Sequence, residues 1–230
     1  MQCVILGAGK GTRMRPLTEH TPKPLLKVCG KPILEHIVNA LPEAIDELVL
    51  VVGYLQEQIR DYCADEFLGK KVIYVEQSNF NGGTGDALMC AKDVVEGKFL
   101  LLNGDDIYGA TALEKIIHED SAIFGVHSNT PELFGVLMLN EDGTLKEIIE
   151  KPENPPSDFI NIGAYVLQDT IFEYRAEMSH LGEVLVTDMI TSYSQDNKVS
   201  IIEQEVWLPI GYPEHIAVAE AALCPGRIDW

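Results

Sequence analysis

Leu6-Gly7-Ala8-Gly9-Lys10-Gly11-Thr12-Arg13-Met14-Arg15-Pro16 continues directly from the short apolar run Cys3-Val4-Ile5-Leu6. The run reads as a buried strand, and it empties into glycines at every second position. Glycine accepts positive φ and lets a backbone approach a ligand closely, so successive N–H groups can cradle an anion. Arg13 and Arg15 add planar forks that match phosphate oxygens. Behind them, Thr21-Pro22-Lys23-Pro24-Leu25-Leu26 sets Lys23 on a stiff segment between two prolines. A helix over 31–41 closes the unit.

Two commoner phosphate motifs fail here. A P-loop follows Gly-Lys with Ser or Thr, whereas Gly9-Lys10 is followed by Gly11. The dinucleotide fingerprint needs G-x-G-x-x-G, and the third glycine comes one residue early. Three glycines alone fit an ordinary turn, but Arg13, Arg15 and Lys23 beside them favour a phosphorylated ligand.

Moving outward, 47–53, 71–76 and 98–102 are apolar runs of strand length. Between them Leu55, Ile59, Tyr62 and Cys63 fall at helical spacing, as do Ala87, Leu88, Ala91, Val94 and Val95 in a helix beginning near Thr84. Strand–helix alternation predicts a right-handed, mostly parallel sheet with helices on both faces, whose ligands bind at the carboxyl ends of the strands. The glycine loop, Gln77 and Asp105 all lie at such ends. The second half reads as strands at 122–126, 133–139, 144–149 and 159–167, the middle pair a hairpin across Glu141-Asp142-Gly143. Helices near Ile171 and Thr187, a strand at 199–202 and a helix at 214–222 complete it. We expect one domain over 1–230, with 111–230 continuing the sheet of 1–110. No internal repeat is present.

Composition narrows the function. At 230 residues the chain can bury a sizeable core, and 46% hydrophobic residues make it globular. A net charge of −19, from 17 basic and 36 acidic residues, argues against nucleic-acid binding. Yet Lys10, Arg13, Arg15, Lys23, Lys27 and Lys31 gather in the first 31 residues against Glu19 alone. Five widely spaced cysteines (Cys3, Cys29, Cys63, Cys90, Cys224) without a C-x-x-C pair read as reduced thiols. With neither a signal peptide nor a membrane span evident, a cytoplasmic protein is expected. The six histidines show no partner pattern and read as structural or surface groups.

The run from Gly7 to Thr18, with Thr21-Pro22-Lys23-Pro24-Leu25-Leu26 and Gly30-Lys31-Pro32-Ile33-Leu34, resembles the signature of the sugar-1-phosphate nucleotidylyltransferases. Further matches extend over nearly the whole chain. The resemblance implies a Rossmann-like three-layer α/β/α sandwich with a mostly parallel mixed sheet. It also implies transfer of a nucleoside monophosphate from a triphosphate, UTP or dTTP favoured, to a glucose-1-phosphate-like sugar-1-phosphate, with Mg²⁺ as cofactor.

Residue by residue, the resemblance assigns nucleotide binding to Leu6, Gly7, Ala8, Gly9, Gly11, Thr12, Gln77, Gly83 and Thr84. Catalysis falls to Arg13, Lys23 and Asp105, with Asp105 as metal ligand. Sugar-phosphate binding falls to Gly135, Glu150, Lys151 and Asn161. Read without the resemblance, Asp105 fits a turn aspartate, Thr84 a helix N-cap, and Glu150-Lys151 a solvated charge pair. One departure stands out. The family reads Trp-x-Asp-x-Gly near its C-terminus, that Asp being the second metal ligand, and this chain has Pro209 there in Trp207-Leu208-Pro209-Ile210-Gly211. A catalytically inactive nucleotide or sugar-phosphate sensor, or a transferase for a non-sugar phosphate such as phosphocholine, are the competing readings. Oligomeric state is left open, a homo-oligomer included.

Overall fold

The computed structural model describes residues 1–179, 182–204 and 206–224; His180, among the histidines read as structural or surface, lies outside them. Strand β1 (Gln2–Leu6) leads through the glycine loop to a small hairpin, β2 (Lys27–Val28) with β3 (Lys31–Pro32), and then helix α1 (Ile33–Ala40). Lys31 and Pro32 thus pair as strand instead of opening the helix expected over 31–41. There follow β4 (Glu47–Val52), α2 (Gln56–Cys63), β5 (Glu66–Phe67), β6 (Lys70–Glu76), α3 (Gly83–Met89) and β7 (Lys98–Asn103). The order β7-β1-β4-β6 is parallel throughout, with β5 antiparallel at the edge.

The second half comprises β8 (Asp106–Tyr108), α4 (Ala110–Ile116), β9 (Ala122–His127), β10 (Gly135–Leu139), β11 (Leu145–Glu150) and β12 (Phe159–Gln168). It ends with α5 (Val186–Ser194), β13 (Ser200–Glu203), β14 (Trp207–Pro209) and α6 (Pro213–Leu223). Strand β12 runs antiparallel to β7, β9 and β10, so the sheet continues without a break into the second half. Beyond β12 come β9 and, at the far edge, β13, while the β10–β11 hairpin joins the start of β12 on its β7 side. Strands β8 and β14 make a separate two-stranded ribbon that their sequences do not announce.

Strand side chains alternate between two cores. Cys3, Ile5, Leu48, Leu50, Leu100 and Leu102 pack with α1, α2 and α4, while Val4, Val49, Val51, Phe99 and Leu101 pack with α3 and α5. Burial of both faces is why these strands read as unbroken apolar runs. The result is the three-layer α/β/α sandwich. Helix α1 contributes Ile33, Leu34, Ile37 and Val38, a stripe at helical spacing. Truncating the fully buried Ile37 to alanine costs about 2–5 kcal/mol.

Two further expectations are corrected. Helix α3 stops at Met89 instead of reaching Val95, because the chain tightens into turns bonded from Ala91 N–H to Leu88 O and from Lys92 N–H to Met89 O. Ala91 and Val95 remain buried all the same. Cys3, Cys63 and Cys90 are free, but Cys29 and Cys224 are joined as a disulfide with Cα atoms 6.3 Å apart. The end of α6 lies against β2, where the Cys29 N–H donates to the Glu220 carboxylate. Among the described residues no helix is long and apolar enough to cross a membrane.

Candidate active site

The glycine loop hangs from the sheet by backbone bonds. Gly104 N–H donates to Leu6 O (2.9 Å), Gly7 N–H to Val51 O (2.8 Å) and Tyr54 N–H to Ala8 O (3.0 Å). Gly7 is therefore occupied within the sheet and does not offer its N–H to a ligand. From Gly9 to Thr12, no backbone N–H is bonded to another described residue. Gly11 lies at φ 58, and a Cβ there would come 3.0 Å from Thr18 Cγ2 and 3.3 Å from Lys23 Cβ. Glycine is required at 11 both for its backbone and for the approach of Lys23, and the open N–H groups around it are free to donate to an anion.

Lys23 is 7% exposed, and its Nζ lies 2.5 Å from Asp105 Oδ2. Asp105 occupies the turn between β7 and β8, with its side chain about one-third open to solvent. Its neighbour Asp106 is buried, and its acid is pushed up to about 8 by burial and by the charge of Asp105, with Lys23 opposing the rise. Across the ribbon, Pro209 is the register partner of Asp106, so the Trp207–Pro209 segment does reach the acidic turn. Arg13 is exposed, its guanidinium 5.3 Å from the centre of the Tyr212 ring. Neither a hydrogen bond nor an ion pair joins Arg13 to the Lys23–Asp105 pair.

Mg²⁺ needs only one or two carboxylates when substrate phosphates and water complete its shell. The partly open Asp105 carboxylate beside a phosphate-type loop fits that requirement. Among the described residues no group of three or more His, Cys, Asp or Glu side chains could hold an ion without such help.

At the end of β6, Gln77 is 4% exposed; its Nε2 donates to Gly83 O (3.0 Å) and Asp86 Oδ2 (2.9 Å). Gly83 has φ 84, and a Cβ on it would sit 2.8 Å from Glu183 Cβ. Thr84 Oγ1 accepts the Val186 N–H at 3.0 Å, which ties this loop to α5; α3 carries no side-chain cap. At Gly53 a Cβ would lie 3.0 Å from each of Ala8 O, Gln77 O and a Phe80 ring carbon, so three loops meet where that glycine leaves room. Lys10 Nζ sits 5.5 Å above the Phe80 ring.

The residues that the resemblance assigns to the sugar phosphate also converge. Gly135 is the register partner of Glu150, and a Cβ at 135 would come 3.1 Å from Glu150 Oε2 and 3.7 Å from Asn161 Cβ. Asn161 is held on both sides, accepting from Gly163 N–H (3.0 Å) and donating to the Tyr165 hydroxyl (2.7 Å). Lys151 adopts φ 43; its N–H bonds Phe134 O, and its Nζ lies 3.6 Å from Glu150 Oε1 with the side chain about half exposed. Thr187, which sequence reasoning did not select, donates its hydroxyl to Glu150 Oε2 at 3.3 Å. A hydroxyl in the first turn of a predicted helix was the only available signal.

These geometries can be set beside known proteins. The sequence profile described as nucleotidyl transferase matches residues 2–224. The chain belongs to this family. It is 38% identical over 226 residues to a bifunctional protein GlmU of Methanocaldococcus jannaschii, covering 97% of this chain and 54% of that one. It is also 36% identical over 235 residues to AglF of Haloferax volcanii, a UTP–glucose-1-phosphate uridylyltransferase, covering 97% and 96%. The chain thus spans about half the length of its bifunctional relatives. In fold, a UDP-glucose pyrophosphorylase complexed with UDP-glucose superposes with TM-score 0.86 at 22% identity, over 96% of this chain and 97% of that one.

Proposed function

We propose that this protein transfers a nucleoside monophosphate, from UTP or dTTP, to a glucose-1-phosphate-like sugar-1-phosphate and releases pyrophosphate. In this reading 1–110 bind the triphosphate and 111–230 the sugar phosphate. The observation that carries it is the pair of buried Lys23 with partly open Asp105 beside Gly11, with a run of open N–H groups on one side. Gly135, Glu150 and Asn161 converge on the strands beyond β7.

An oxygen of the sugar phosphate attacks the α-phosphorus; that P–O bond forms as the bond from α-phosphorus to the bridging oxygen breaks, and pyrophosphate leaves. Bringing two polyanions into line is the main difficulty, so positioning and charge neutralisation supply most of the rate. Leu6, Gly7, Ala8, Gly9, Gly11 and Thr12 shape the phosphate loop, and Gln77, Gly83 and Thr84 the base side. Arg13 holds the triphosphate and its leaving end. Lys23 neutralises the α-phosphate under attack, while Lys151 holds the attacking phosphate and Glu150 accepts bonds from sugar hydroxyls. Mg²⁺, held through Asp105 when bound, would neutralise charge on the phosphates.

The test is pyrophosphate release with each nucleoside triphosphate against a panel of sugar-1-phosphates and phosphocholine in Mg²⁺. Release with UTP or dTTP and a hexose-1-phosphate, and not with CTP or a purine triphosphate, bears the reading out. Turnover with phosphocholine alone overturns the sugar assignment, and nucleotide binding without turnover at any metal concentration marks a sensor.

A further inference from the structure

We propose that Asp86 sets the nucleobase preference of this site by fixing which end of the Gln77 amide meets the base, an inference that rests on the nucleotide reading above. A primary amide carries two N–H donors at one end and an acceptor oxygen at the other. Gln77 uses its donor end inside the protein, on Gly83 O at 3.0 Å and Asp86 Oδ2 at 2.9 Å. Both partners are acceptors, so turning the amide over would set its oxygen against a carbonyl and a carboxylate. The orientation is fixed.

What remains is Gln77 Oε1. It accepts no hydrogen bond from the described residues, yet it is not among the buried polar atoms sealed without a partner. A side chain that is 4% exposed therefore keeps one unmatched acceptor that is not sealed away from solvent. The carboxylate that enforces this is itself packed in place: a Cβ at Gly82 would lie 2.8 Å from Asp86 Cβ, so the missing side chain at 82 makes room for it.

An acceptor-only wall selects a ligand edge that donates. Set against ring position 3, the acceptor meets the imide N–H of uracil and thymine but a lone pair in cytosine, whose donor lies instead on the exocyclic amine at position 4. Asp86 acts through Gln77 and is a positioning residue. Without its carboxylate only Gly83 O still holds the donor end, so the Gln77 amide is freer to turn and donate, which relaxes the preference.

Calorimetric binding of UTP, CTP and N3-methyl-UTP in Mg²⁺, without sugar phosphate, tests this. Wild type should bind UTP at least about tenfold more tightly than the other two, the worth of one hydrogen bond. Asp86→Ala should shrink the UTP-to-CTP ratio about tenfold, and Asp86→Asn, whose side-chain oxygen still accepts, should retain it. A purely structural role would weaken all three nucleotides together and leave the ratio unchanged, which overturns the proposal. So does N3-methyl-UTP binding as tightly as UTP, a measurement on wild type that stands even where Asp86→Ala does not fold. Wild type that binds no triphosphate overturns the nucleotide reading and this inference together; a uridine preference that survives Asp86→Ala overturns the role of Asp86 alone.

Discussion

Lys23 Nζ and Asp105 Oδ2 meet at 2.5 Å although 82 residues separate them, and the lysine is the more buried of the two. Its Pro22-Lys23-Pro24 setting and the bare backbone of Gly11 aim the ammonium at the acidic turn. A cation held in place before substrate arrives has little reorganisation left to do when charge develops on a phosphate.

Lys23→Ala should therefore lower kcat by about 10²–10³ while KM for either substrate moves only a few-fold. Steady-state kinetics decide it: a near-normal kcat with a raised KM would remove Lys23 from the reacting phosphate.

Lys151 stands apart, half exposed beside Glu150 on the hairpin edge. Lys151→Ala should raise KM for the sugar phosphate by about tenfold or more and leave that for the triphosphate within about twofold. Equal effects on both would move Lys151 off the sugar side.

Pro209 faces Asp106 across the β8–β14 ribbon and offers no side-chain ligand. The active protein should accordingly need a high Mg²⁺ concentration, and Pro209→Asp should lower the concentration for half-maximal activity severalfold. Metal titration of both proteins checks this, and an unchanged requirement shows that position 209 does not reach the ion.

The Cys29–Cys224 disulfide closes a span of 195 residues. Purified without reductant and then denatured, the chain should titrate as three thiols, Cys3, Cys63 and Cys90, rising to five after reduction. Cys224→Ser should cost about 2–4 kcal/mol and lower Tm by roughly 5–15 °C. Five thiols before reduction would remove the disulfide.

The sheet was legible because its strands are buried on both faces. Runs such as Leu48-Val49-Leu50-Val51-Val52 have no other way to be satisfied, and the repeat of strand and helix fixes their order. The site was legible where one short segment carries it, as from Gly7 to Lys23. What escaped depends on partners brought together only by tertiary packing. The β8–β14 ribbon joins short strands about 100 residues apart, and Cys29 finds Cys224 only because α6 returns to β2. Asp86 and Thr187 look like ordinary helix residues until Gln77 and Glu150 are seen beside them. The early end of α3 is of the same kind, since burial of Ala91 and Val95 is equally well met by tight turns.

Strand β12 is bonded to β9 on one side and, on the other, first to β10 and then to β7, and it carries Asn161 within its span. The two halves of the chain share this one ten-residue beam and have no hinge line between them. Rotating one half over the other would break the ladder along β7, so on the proposed reading the floor under both substrates is stationary. Any tightening around them has to come from the roof: the glycine loop with Lys10, the loop bearing Phe80, and the exposed arm of Lys151.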